Sequence, residues 1–178
     1  MNIAIIGANG MLSVALTKYF YGRPETKVAV FGLDAPQGYV CDEFYATNLL
    51  KQKLDYEELK SYDVIIYASG AGVQAALNTD SALMYALNVT APIDITLGLK
   101  KEGFKGIYIS FGSYMEIGIN DEDGKAFNED DVVCSSLPVS NDYALSKRLY
   151  GRYMRDFNAD FTSYHFILPN MFSEDDLK

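Results

Sequence analysis

Apolar runs of strand length alternate with helical patterns along this chain. Ile3 to Ile6 reads as a short buried strand, and Met11 to Phe20 has the spacing of a helix. Val28 to Leu33 predicts a second strand, Phe44 to Thr47 a weaker third, and Tyr56 to Lys60 a short helix. Asp63 to Ala68 is rich in β-branched residues without polar alternation, the pattern of a strand buried on both faces. Ser81 to Lys101 is a long helical stretch, broken or restarted near Pro92. Gly106 to Phe111 predicts a fifth strand, Asp142 to Phe157 a helix and Phe161 to Leu168 a sixth strand, while Ile119 to Val139 is the one long irregular stretch. Continuous apolar strands separated by helices mark a parallel sheet covered on both faces. The expected fold class is therefore α/β: a doubly wound parallel sheet, a single domain of three α/β/α layers over residues 1–178. Such sheets bind ligands at the C-terminal ends of their strands.

Composition narrows the chemistry. The 178 residues suit one domain with a sizeable core, and 49% hydrophobic with 22% charged residues is ordinary globular composition. Apolar runs fall short of the roughly 20 residues that span a bilayer. The opening Met1 to Gly7 lacks the basic and long apolar regions of a signal peptide, so a cytoplasmic location and no membrane partner are expected. Cys41 and Cys134 lie far apart without C-x-x-C spacing; they read as reduced, buried thiols, with a disulfide between them the alternative. The lone histidine, His165, excludes most histidine-based zinc sites and argues against a Ser-His-Asp triad. It lies in the apolar run Tyr164 to Leu168 and reads as a satisfied core or edge residue; no metal is expected. A net charge of −9 argues against nucleic acid, whose phosphates call for Lys and Arg. Much of the acid falls in Asp121 to Asp131 and Glu174 to Asp176, which read as solvated loops.

That charge leaves a dinucleotide open, because a helix N-terminus binds pyrophosphate through backbone N–H groups. Gly7-Ala8-Asn9-Gly10-Met11-Leu12-Ser13 directly follows the first strand and opens the first helix. The first glycine permits the tight turn, and the second lets the helix end approach a pyrophosphate. An acidic residue should then stand at the end of the second strand to accept the ribose 2′-hydroxyl, and Asp34 fits. Ala35 to Gly38 offers no Arg or Lys for a 2′-phosphate, which favours NAD over NADP. A one-residue change of register would put Gly32 at the key position instead.

Tyr143 and Lys147 stand four apart, on one face of a helix. An ammonium nearby lowers a phenol's pKa, and a phenol so tuned exchanges a proton with an alcohol or carbonyl while hydride passes to or from nicotinamide. With 14 tyrosines in the chain, about one such pair arises by chance, and Tyr56 with Lys60 is a second. Position separates them. The Tyr56 pair precedes the fourth strand and reads as a solvated helix face. The Tyr143 pair follows the fifth strand, whose end carries Ser110-Phe111-Gly112-Ser113, and a serine there can donate to the same substrate oxygen.

With these residues the chain resembles the extended short-chain dehydrogenase/reductase family of nucleotide-sugar epimerases, dehydratases and reductases, most like the dTDP-4-dehydrorhamnose reductase branch. The resemblance runs in order over nearly all 178 residues. It implies cofactor contacts from Gly7, Asn9, Gly10, Met11, Leu12, Asp34, from Asn48 beside the adenine, from Ala68, Ser69 and Gly70 at the end of the fourth strand, and from Lys147 and Pro169. It implies Tyr143 as acid/base, Lys147 as the group that lowers its pKa and holds the nicotinamide ribose, Ser113 as orienter of the substrate carbonyl and Asn88, in Asn88-Val89-Thr90, as a relay residue. Glu129-Asp130 and Pro138 are similar to the acidic and proline positions before the tyrosine motif, and Pro169-Asn170-Met171-Phe172 to the segment that leaves the sheet toward the substrate. Helices Ser81 to Lys101 and Asp142 to Phe157 pair with a second subunit in that family, which implies a homodimer.

Four departures accompany the resemblance. Ser13 stands at the usual third glycine, and Asn48 replaces an aspartate. The family's serine corresponds either to Gly112, leaving no hydroxyl, or to Ser113, whose spacing to Gly118 fits better. The chain stops at Lys178, where the family's substrate-binding domain would begin. Two functions follow: an NAD(P)-dependent enzyme acting on a nucleotide sugar, or a non-catalytic dinucleotide-binding regulator or scaffold of the same fold. A third reading has no dinucleotide, the glycines merely packing.

Overall fold

The computed structural model describes residues 1–72, 79–119 and 126–169. One six-stranded, all-parallel sheet runs β3-β2-β1-β4-β5-β6, with β1 at Asn2–Ile6, β2 at Lys27–Gly32, β3 at Glu43–Ala46, β4 at Val64–Tyr67, β5 at Ile107–Ser113 and β6 at Thr162–Leu168. The order reverses beside β1, the switch point at which such sheets open a crevice. Side chains alternate between two cores. Ile3, Ile5, Val28, Val30 and Ile66 face one side with Leu16 and Phe20 of α1 (Met11–Phe20). Ala4, Ile6, Phe31, Ile65, Tyr67 and Tyr108 face the other, against Leu59 of α2 (Tyr56–Leu59), Ile95 and Leu99 of α4 (Ala91–Lys101) and Tyr150 and Met154 of α6 (Asp142–Asp156). The doubly wound α/β arrangement expected from the apolar pattern is the one observed.

The helical stretch before Pro92 is continuous rather than broken. α3 (Ser81–Tyr85) passes through a π turn, Ala86–Thr90, into α4. In the π turn the Ala91 N–H reaches back to the Ala86 carbonyl, and the Tyr67 hydroxyl donates to the Leu87 carbonyl at 2.6 Å. Pro92 brings no N–H, so the wide turn accommodates it without a break. By length and composition Ser81–Lys101 is apolar enough to cross a membrane, contrary to the expectation that no such segment exists. Here it covers the sheet, with Ile95 and Leu99 in the core.

Other expectations are adjusted. β5 runs two residues past Phe111 because Gly112 and Ser113 pair with Ile167 and Leu168 of β6. The irregular stretch contains α5 (Glu129–Cys134), capped by Asn128, whose Oδ1 accepts from Asp131 N at 2.9 Å. Glu129, Asp130 and Asp131 occupy its first turn, where acid complements the helix dipole, rather than a loop. The Asp121 to Gly124 part of that acidic stretch, and Glu174 to Asp176, lie outside the described residues. The cysteines are free but not buried: Cys41 is half-buried and Cys134 exposed. Tyr56 is not on a solvated face; it lies half-buried against Gly98 of α4, in space a larger residue there would fill.

Candidate active site

Because all six strands are parallel, their C-terminal ends share one edge, and the singled-out residues follow those ends. After β1, Gly7 adopts φ +118, and a Cβ on it would lie 2.8 Å from Ser69 N. This glycine is needed by the fold itself. Gly10, the N-cap of α1, has an ordinary φ of −74, and a Cβ there would meet nothing nearer than 3.8 Å. No side chain caps α1 and no acidic residue enters its first turn, so the N–H groups around Met11 and Leu12 keep their donors for an anion. The turn thus fits a dinucleotide pyrophosphate. Ser13 is fully buried, and its hydroxyl has no partner among the described residues.

Asn9 ties this turn to the end of β2. Its Nδ2 donates to the Ala35 carbonyl at 3.1 Å and its Oδ1 accepts from Gln37 N at 3.0 Å. Asp34 is thereby held beside the turn with its carboxylate exposed. Gly32 sits beneath, with Ala8 where its side chain would be. Past β3, Asn48 accepts from Leu50 N at 3.0 Å through Oδ1 and is half-buried.

Past β4, Ala68 and Ser69 back Gly7, and Gly70 opens toward Asn88 and Lys147: a Cβ there would lie 3.1 Å from Asn88 Oδ1 and 3.9 Å from Lys147 Nζ. Asn88, 2% exposed in the π turn, bonds both backbone groups of Ala71, accepting from N at 3.0 Å and donating to O at 2.9 Å, and donates to Ser146 Oγ at 3.0 Å. Ser146 in turn donates to the Tyr143 carbonyl at 2.8 Å. Asn88 therefore links the segment after β4 to the helix that carries Tyr143 and Lys147.

Ser113, the last residue of β5, is buried, and its hydroxyl stands beside the Tyr143 phenol. The tuning of the phenol differs from the expected one. Burial raises the Tyr143 pKa, with the Ser113 hydroxyl pulling down and Glu116 and Tyr114 pushing up. The Lys147 ammonium stands 5.9 Å from the centre of the Tyr143 ring and donates to the Phe111 carbonyl at 3.0 Å. Its own pKa is lowered by burial to about 8, against an upward pull from Glu116. Lys147 thus lies beside Tyr143, and burial sets the direction of the phenol's shift. Pro169 follows β6 and is exposed, while Asn170, Met171 and Phe172 lie outside the described residues.

Glu116 escaped the sequence reading, and His165, read as a satisfied core or edge residue, is satisfied at only one ring nitrogen among the described residues. Glu116, 1% exposed, follows Ser113 in a 3-10 turn, Tyr114–Ile117, and takes the Ser113 N–H at 2.7 Å. His165 of β6 bonds Ser110 Oγ through Nδ1 at 2.9 Å, while its Nε2 has no hydrogen-bond partner among the described residues and stands 3.9 Å from Glu116 Oε1. The signal was present: Ser113-Tyr114-Met115-Glu116 has the S-x-x-E form of a capping box.

Comparison with known proteins adds family to this geometry. Among solved structures the chain is similar to MoeE5 in complex with UDP-glucuronic acid and NAD, with TM-score 0.73 and 16% identity over 94% of this chain and 54% of that one. It is similar to the Thermus thermophilus UDP-glucose 4-epimerase in complex with NAD, with TM-score 0.65 and 16% identity over 92% and 54%. It is also similar to the Bordetella bronchiseptica enzyme WbmG in complex with NAD and UDP, with TM-score 0.63 and 16% identity over 90% and 51%. These likenesses establish the fold, and the chain spans about half the length of each of these structures. No curated protein matches the sequence. Residues 3–176 match the model of the NAD dependent epimerase/dehydratase family, and the chain belongs to that family.

Proposed function

We propose that this chain is the cofactor-binding part of an NAD(P)-dependent oxidoreductase acting on a nucleotide sugar, as reductase, epimerase or dehydratase. One observation carries the reading: Ser113, Tyr143 and Lys147 meet beyond the ends of β4 and β5, beside Gly70 and the turn at Gly7 to Leu12. The pyrophosphate would sit on the first turn of α1, and the exposed Asp34 would accept from the adenosine ribose, which favours NAD over NADP. Asn48 would stand beside the adenine, and Ala68, Ser69, Gly70 and Pro169 would border the nicotinamide half. A bound nicotinamide supplies or accepts the hydride.

In this reading Tyr143 Oη gives or takes a proton at the sugar oxygen, and Ser113 Oγ orients that oxygen. Lys147 holds the nicotinamide ribose, and Asn88 supports the proton relay from within the π turn. Phenol pKa and solution pH must approach one another for efficient transfer, so the phenol, raised by burial here, must come down when the site is filled. Nucleotide sugars as substrates are favoured by the named complexes of the similar structures. Residues that read the sugar would come from beyond β6.

A non-catalytic dinucleotide-binding module is the second reading. It is favoured by the raised phenol, which makes Tyr143 a poor acid/base near neutral pH. Titration with NADH tests what both readings share, and turnover separates them. Binding should raise the melting temperature and change nicotinamide fluorescence; no change with either dinucleotide removes both readings. On the catalytic reading Tyr143→Phe should lower nucleotide-sugar turnover by about 100-fold or more. Binding without turnover of any nucleotide sugar favours the module.

A further inference from the structure

Glu116 is a carboxylate with 1% exposure, and such groups are rarely buried unless partnered. Two glycines from different elements leave room for it. A methyl on Gly112 of β5 would overlap its Oε1, and one on Gly151 of α6 would lie 2.5 Å from Oε2. Oε1 accepts the Ser113 N–H at 2.7 Å, and Arg148 Nε donates to the Glu116 carbonyl at 2.5 Å. The charged and titratable groups around it come from every neighbouring element: Tyr114 on its own turn; Tyr143, Lys147 and Arg148, with Arg152 behind, on α6; and His165 on β6. Ser110, His165 and Glu116 stand in a row, but Ser110 has no exposed surface, so the row is no nucleophilic triad. Its one hydrogen bond, between Ser110 Oγ and His165 Nδ1, joins β5 to β6.

We propose that Glu116 is a positioning residue of this site: seated in the space left by Gly112 and Gly151, its side chain fixes Ser113 through the backbone N–H and sets the electrostatic surroundings of the α6 face that carries Tyr143 and Lys147. The assignment rests on Ser113, Tyr143 and Lys147 being the reaction centre. Burial drives the Lys147 amine toward neutrality, and Glu116 is the group that opposes it. At Tyr143 burial is the main cause of the raised phenol, and Glu116 adds to it in the same direction.

The test reads Lys147 directly, by NMR of protein labelled with 13C-lysine, its resonance identified by its loss in Lys147→Met. Glu116→Gln keeps the shape and the acceptor for Ser113 N–H and removes only the charge. The Lys147 midpoint should fall by about one pH unit, and Glu116→Asp, which keeps the charge, should hold it near the parent value. An unmoved midpoint in Glu116→Gln, or an equal fall in Glu116→Asp, overturns the proposal. Should Glu116→Gln fail to fold, Glu116→Met, which removes the charge at similar length, carries the same expectation and the same refutation. Where the enzyme turns over, the limb of its pH profile set by Lys147 moves with the midpoint. Since the midpoint needs no turnover, an active Tyr143→Phe variant would sink the catalytic reading and leave this measurement standing.

Discussion

Gly7 and Gly10 stand three residues apart in one turn, and the fold asks different things of them. Gly7 has a positive φ and no room for a methyl, so Gly7→Ala should lower stability in urea melts by about 2 kcal/mol. Gly10 has an ordinary φ and open space, so Gly10→Ala should keep its melting temperature yet weaken NADH binding by about tenfold or more. Equal stability losses in both variants would leave the second glycine a packing residue. Lys147 carries a pH signature of its own. Its folded-state pKa, about 8, lies below the ordinary 10.5, so between those values the unfolded chain binds more protons. Stability contributed by this residue therefore rises with pH across that window, and the burial cost stands in full below it. The stability of Lys147→Met relative to the parent should fall from neutral pH to about pH 10; a constant difference would contradict an enclosed ammonium.

Between elements, the π turn is what brings Asn88 into the site. A regular helix would place the Ala91 N–H on the Leu87 carbonyl; here Tyr67 serves that carbonyl, and Asn88 points to Ala71 and Ser146. Removing its amide strands both Ala71 backbone groups, and each unmet buried partner costs about 1–3 kcal/mol. Asn88→Ala should thus destabilise the fold by about 2–4 kcal/mol and, on the catalytic reading, lower kcat further than KM. The 3-10 turn after β5 works alike, its reciprocal capping by Ser113 and Glu116 fixing where the serine stands.

At the scale of the molecule, α4 and α6 present apolar surface outward, with Leu97 50% exposed and Leu149 45% exposed. A cavity of about 550 Å³ lies beside Leu97, walled by Tyr153 and Phe157. A homodimer through these helices would cover both. Sedimentation should return twice the 19.8 kDa chain mass, and Leu97→Glu with Leu149→Glu should return the single mass with NADH affinity retained. A monomeric parent would remove the dimer.

The apolar periodicity by itself determined six strands alternating with helices, and the spacing of Gly7 and Gly10 the turn between the first of each, because strand and helix burial are written locally as spacing. Tyr143, Lys147 and Ser113 were legible as candidates from their places after the fifth strand. What only the tertiary structure decided is their ionisation and company. The helical spacing of Tyr143 and Lys147 promised a lowered phenol, yet burial raises it and the ammonium turns to the Phe111 carbonyl. Glu116 and His165 lie far apart in the chain and meet only because β5 pairs with β6. Electrostatics depends on distance and desolvation in the folded chain, and neither is encoded in spacing along a single element.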